Sequence, residues 1–98
     1  MTDPAALQDL LRRRLALVGR LAEATADAQK LGQRIGGLDM DRLRFEMDAA
    51  GGRGPGGTVR RDTEDAIAAA EAELDRCRRR IDALEAEIAE LIAAIAGR

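Results

Sequence analysis

Residues 67–95 read IAAAEAELDRCRRRIDALEAEIAELIAAI, and the spacing of their apolar members decides the fold. Ile67, Leu74, Ile81, Ile88 and Ile95 recur every seven residues, and Ala70, Cys77, Leu84 and Leu91 each follow three places later. Alternating steps of three and four put all nine on one stripe of an α-helix. A stripe sustained without a break over this length predicts a coiled coil. One helix cannot bury it alone, so the rest of the chain is expected to supply a partner.

That partner is the first half. Asp3-Pro4 is a helix start, since Asp3 can accept from free backbone amides and Pro4 has no amide to leave unpaired. From there to about residue 49 the pattern is helical, with Leu7, Arg14, Leu21, Ala28, Ile35 and Arg42 at a, and Leu10, Leu17, Ala24, Leu31, Leu38 and Phe45 at d. Gly19, Gly32, Gly36 and Gly37 each cost this helix about 1 kcal/mol relative to alanine. The adjacent pair at 36–37 leaves open a kink or break, after which Asp39 would cap a short helix from about Met40 to Ala49. Ala24, Ala28, Gly32 and Gly36 form a row of small residues expected to let the helices approach closely.

Between the halves, residues 51–57 hold five glycines and a proline and are read as a loop. Thr58 or Asp62 is expected to open the second helix, 58–96, with Asp62, Glu64 and Asp65 favouring the positive end of its dipole. Gly97 is a suitable stop, and Asp75 and Arg79 are spaced for an ion pair. Two helices of about 40 residues, each about 60 Å long, imply an antiparallel hairpin. Folding about residue 54 pairs Leu31 with Cys77, Leu21 with Ile88, Leu17 with Leu91 and Phe45 with Thr63. The expected architecture is all-α: one domain over 1–98, an antiparallel two-helix coiled-coil hairpin.

Apolar residues remain beyond this seam. Leu11, Leu15, Val18 and Ala22 form a second stripe on the first helix. Ala89, Ile92, Ala93 and Ala96 do the same on the second, at the end away from the loop. A twofold dimer joined there as a four-helix bundle is the simplest closed arrangement; a wider intramolecular seam is the alternative. Near the loop, Met40, Leu43 and Met47 face outward in the continuous register and, with Arg53, would suit an adaptable partner-binding tip. A break at Gly36-Gly37 would instead turn these three into core.

Composition limits the chemistry. Charged residues make up 35% and aromatics 1%, a coiled-coil composition with Phe45 as the one aromatic. With no histidine, the commonest general base and metal ligand is missing. Cys77 sits at a d position and reads as a small core residue, although Arg76 and Arg78 beside it would favour a thiolate. The glycine loop lacks the GK[ST] of a phosphate-binding loop. Asp39, Asp41, Glu46 and Asp48 match no calcium-loop spacing. No catalytic, cofactor or metal site is therefore expected.

The phrase Leu10-Leu11-Arg12-Arg13-Arg14-Leu15-Ala16-Leu17-Val18 is similar to one in the helical chorismate mutases, but the downstream lysine and Arg-Glu pair of their active site do not appear at workable spacing. The chain also resembles the antiparallel arm of seryl-tRNA synthetases in shape and composition, as any coiled coil of this size would. Neither likeness assigns a function.

The basic residues are the remaining candidates. Lys30, Arg34, Arg76, Arg78, Arg79 and Arg80 fall in a mid-hairpin band that could contact phosphates, and Arg53, Arg60 and Arg61 flank the loop. The net charge of −2 and the lack of aromatics for base stacking argue against nucleic acid. The single cysteine allows no internal disulfide. Arg12-Arg13-Arg14 breaks the first apolar stretch, where a signal sequence would lie, and no apolar run approaches the ~18 residues of a membrane span. The expectation is a cytoplasmic, non-enzymatic interaction module (adaptor, small chaperone or regulatory subunit), homodimeric or bound to another protein. The alternative is a nucleic-acid-associated accessory protein.

Overall fold

The computed structural model describes residues 3–54 and 56–97; Pro55, part of the expected loop, lies outside them. Two helices account for nearly all of these residues, α1 (Pro4–Ala50) and α2 (Gly57–Ala96), with no strand among the described residues. The chain is an all-α helical hairpin. By contacts it divides into two units. One joins the stretch up to Asp27 with that from Cys77 onward, and the other is Ala28–Arg76. Each pairs a segment of α1 with a segment of α2 running the opposite way.

In the first unit the core is Leu17, Ala24, Leu84 and Leu91, with Leu10, Leu21, Ile81, Ile88 and Ile95 packed against it. All are a or d residues. Leu17 and Leu91 share the cluster as the folding about residue 54 predicts. Cys77 is half-buried, and its Sγ donates to the Ala24 carbonyl oxygen at 3.6 Å, one heptad before the Leu31 of the simple pairing. In a coiled coil a seam residue enters a hole bordered by several residues of the facing helix, so contacts spread across a heptad. In the second unit Ile67 and Ala70 are buried, and Phe45 and Thr63 line one groove.

The seam fails at its arginines. Arg14 and Arg42 are exposed, because a guanidinium reaches water more cheaply than it enters an apolar layer. At the second of these the half-buried position passes to Asp41, while Arg42 pairs with Asp39 at 2.8 Å. Asp39 is thus an ion-pair partner within α1, not the cap of a separate helix. α1 continues through Gly36 and Gly37, so the short helix from Met40 does not form.

The row of small residues is a second correction. Ala24 is fully buried and Ala28 half-buried, but Gly32 and Gly36 are exposed, and a Cβ built on either meets nothing within 4 Å. A row with four-residue steps rotates about 40° per step around a helix of 3.6 residues per turn. By Gly32 it has left the seam, which advances by alternating threes and fours.

The helix ends are capped by local chemistry. Asp3 Oδ1 accepts from the Ala5 amide at 3.0 Å. At the other end of α1, Gly52 adopts a left-handed φ of 75°, the Arg53 amide donates to the Asp48 carbonyl at 2.7 Å, and the Gly52 amide donates to Ala49 at 3.1 Å. This is the Schellman arrangement, which satisfies carbonyls the helix would otherwise leave free. A Cβ is strained at such a φ. Gly52→Ala is therefore expected to lower stability by about 1 kcal/mol, read from the urea midpoint, with no loss of helix content.

α2 opens earlier than the sequence suggested. The Gly56 carbonyl accepts from Val59 and Arg60, so Thr58 and Asp62 lie inside the helix. Asp62, Glu64 and Asp65 then fall beyond the first turn, where the dipole acts most strongly. The expected Asp75–Arg79 pair is not among the ion pairs of the described residues, which include Arg12–Asp9 at 3.7 Å. Both residues are exposed, and water competes well with such pairs.

Candidate functional site

Because α1 and α2 bury chiefly their seams, the larger apolar residues outside them are left in water. In the first unit Leu11, Leu15, Val18 and Ala22 are all exposed, Leu15 by 75%. Ala89, Ile92, Ala93 and Ala96 on α2 are exposed as well, with Ile92 at 47%. A shallow depression is lined by Gln8, Leu11, Arg12 and Leu15. These eight residues are placed as the sequence stripes required, outside the intramolecular seam. The surface they offer is chemically simple: branched aliphatic and methyl groups, suited to excluding water against another apolar surface.

The second unit carries the tip residues. Met40, Leu43 and Met47 are exposed, Met47 by 68%, which is the outward arrangement of the two the sequence left open. The reason is the continuity of α1, since without a break the register does not rotate. Arg53 is exposed, and its guanidinium lies back beside Gly51. An open depression in this unit is lined by Arg42, Phe45, Glu46, Arg60, Thr63 and Glu64 among others, with guanidinium and carboxylate groups mixed.

The six basic residues of the expected band are exposed, as are Arg53 and Arg61, whereas Arg60 is half-buried. Lys30, Arg34 and Arg76 belong to the second unit, and Arg78, Arg79 and Arg80 to the first. None takes part in an ion pair within 4 Å among the described residues. Asp39, Asp41, Glu46 and Asp48 do not converge, and no group of three metal-ligating side chains forms among the described residues. Among the described residues no helix is long and apolar enough to cross a membrane.

Sequence reasoning missed two features. Val59 is exposed at the start of α2 and belongs to neither stripe. More important, Thr25, Gln29, Gly32 and Gly36 are exposed and continue on α1 the spacing of the apolar residues on either side. Their signal was an absence of charge at regular intervals in a chain that is 35% charged, which a search for hydrophobic residues passes over.

Compared with known proteins, the chain matches no family model, and no curated protein or solved structure matches it.

Proposed function

We propose that this chain is a non-enzymatic helical-hairpin interaction module that works by docking its exposed apolar stripe against a second helical surface. The observation that carries this reading is the exposure of Leu11, Leu15, Val18 and Ile92 within one unit whose own core is already complete. Soluble chains seldom leave such residues grouped in water, and helix-on-helix packing is what a stripe of this spacing fits. An adaptor, small chaperone or regulatory subunit would use such a surface. The simplest partner is a second copy. The alternative, phosphate contact through the exposed arginines, is opposed by the net charge of −2.

Sedimentation equilibrium tests the proposal. Wild type is expected to be dimeric at about 50 micromolar, an affinity that hairpin-scale burial readily supplies. The double variant Leu15→Glu/Ile92→Glu is expected to be monomeric with unchanged helix content. A monomeric wild type, or a dimer indifferent to this substitution, would overturn it.

A further inference from the structure

We infer that the α1 stripe of the first unit is covered by the same stripe of a second copy, the two α1 segments lying antiparallel and face to face. This rests on the self-association reading above and names the surfaces that meet.

All the residues concerned belong to the first unit. Gln8, Leu11, Leu15, Val18, Ala22 and Thr25 follow one another along α1 at steps of three and four. All six are exposed and none is charged. At ~100° per residue they span an arc of about 100°, the width of face a helix buries against a neighbour. Each lies one place after a seam residue, so the row runs beside the seam along one side of the hairpin. The row with the same relation to the α2 seam is Arg78, Asp82, Glu85, Ala89, Ile92 and Ala96, all exposed, and its first three members are charged. In an antiparallel pair of helices these two rows lie on the same side. The uncharged part of that side is therefore centred on α1, with Ala89, Ile92 and Ala96 at its rim.

Read against itself in reverse, the α1 row is in register. Leu15 meets the partner's Val18, Leu11 the partner's Ala22 and Gln8 the partner's Thr25, each contact made twice. The aliphatic layers fall at the centre. The amide and hydroxyl layers fall at the two ends, where water reaches them. A surface that complements itself in this way closes as a twofold dimer.

Charge supports the same register. On the flank of the row away from α2, Arg12 lies near one end and Glu23 near the other, both exposed. Antiparallel packing brings Arg12 beside the partner's Glu23, twice. Within the chain Arg12 pairs only with Asp9, at 3.7 Å between side chains that are 77% and 76% exposed, and further guanidinium donors remain for a second carboxylate. Glu23 takes part in no ion pair within 4 Å among the described residues. On the flank toward α2, Arg14 falls beside the partner's Leu21, so like charges do not meet there. A parallel pair in register would hold Arg12 and Glu23 eleven residues apart, roughly 16 Å, and would pair neither. Laying α1 over the partner's α2 would set the uncharged row against one whose first half is charged, at a desolvation cost to Asp82 and Glu85.

Disulfide capture between full-length copies tests the geometry. Leu11→Cys/Cys77→Ala and Ala22→Cys/Cys77→Ala chains are mixed in equal amounts and oxidised. The 11–22 cross-link is expected to exceed the 11–11 and 22–22 products at least about tenfold, because the mismatched pairs lie roughly 16 Å apart, beyond disulfide reach. Charge reversal, read by sedimentation, gives the second readout. Arg12→Glu and Glu23→Arg are each expected to weaken association about tenfold at low ionic strength, and the two together to restore it to within about threefold of wild type. Equal amounts of 11–11 and 11–22 links, or a double reversal no tighter than the single ones, would overturn this inference and leave the interaction-module reading standing. A monomeric wild type would remove both.

Discussion

Leu84→Ala is expected to lower the unfolding free energy by about 2–4 kcal/mol. Leu84 is buried at a d position and packs with Leu17, Ala24 and Leu91. Removing its isobutyl group loses the transfer energy and leaves a gap that the facing residues cannot close. Ala24, fully buried and fixed on α1, has no side-chain length to move into the space. For a domain of this size the loss corresponds to roughly 10–20 °C in melting temperature. Circular dichroism at 222 nm is the suitable probe, because the chain has no tryptophan or tyrosine. Leu15→Ala is the control. Leu15 is 75% exposed, so at dilutions where the chain is monomeric its truncation should change stability by less than about 0.5 kcal/mol. A Leu84→Ala melt within 3 °C of wild type would mean that the heptad seam does not hold the hairpin together.

The second large effect has the opposite sign. Gly19→Ala and Gly37→Ala together are expected to raise stability by about 2 kcal/mol. Both glycines lie inside α1, both are exposed, and a Cβ on either meets nothing within 4 Å. Neither has the positive φ that makes a Cβ strained at Gly52. Alanine therefore brings its better helix propensity and restricts the unfolded chain, with no steric cost. The sites lie in different contact units and a Cβ at either touches no shared neighbour, so their effects should add. Neither belongs to the exposed stripe of Leu11, Leu15, Val18 and Ile92, and self-association should stay within about threefold of wild type. A decrease in stability for either single variant would show that the glycine is needed in a conformation other than this helix.

The contrast between these sites explains how much of the fold was legible in advance. Ile67 to Ile95 could be read because a coiled coil writes its contacts into one dimension, and the spacing of side chains is itself the packing rule. Each d residue from Leu10 to Leu91 is covered. Gly36-Gly37 was ambiguous because helix propensity is a local quantity of about 1 kcal/mol per glycine, whereas the continuity of α1 draws on seam residues to either side of the pair. The start of α2 was misplaced for a related reason. Thr58 and Asp62 are better capping types than glycine, yet it is the Gly56 carbonyl that accepts the first bonds of the helix. The exposed stripes were legible as surplus hydrophobicity. Their continuation through Thr25, Gln29, Gly32 and Gly36 was not, because small and uncharged residues carry no hydrophobic signal.

The turn that ends α1 also bears on how the chain finds this fold. Phe45, Arg60 and Thr63 line one groove, so the innermost layer of the hairpin closes a loop of only about 15 residues. Gly52, already turned left-handed and tied back to Ala49, with Arg53 tied to Asp48, holds that reversal in a narrow range of conformations. Once the innermost layer exists, the next joins residues that are no longer free to diffuse apart, and the same is true of each layer after it. The separation of Leu10 from Leu91 along the chain thus greatly overstates the entropy lost when they meet. Loop entropy therefore favours closure outward from the turn, with the search concentrated in the few residues around Gly52.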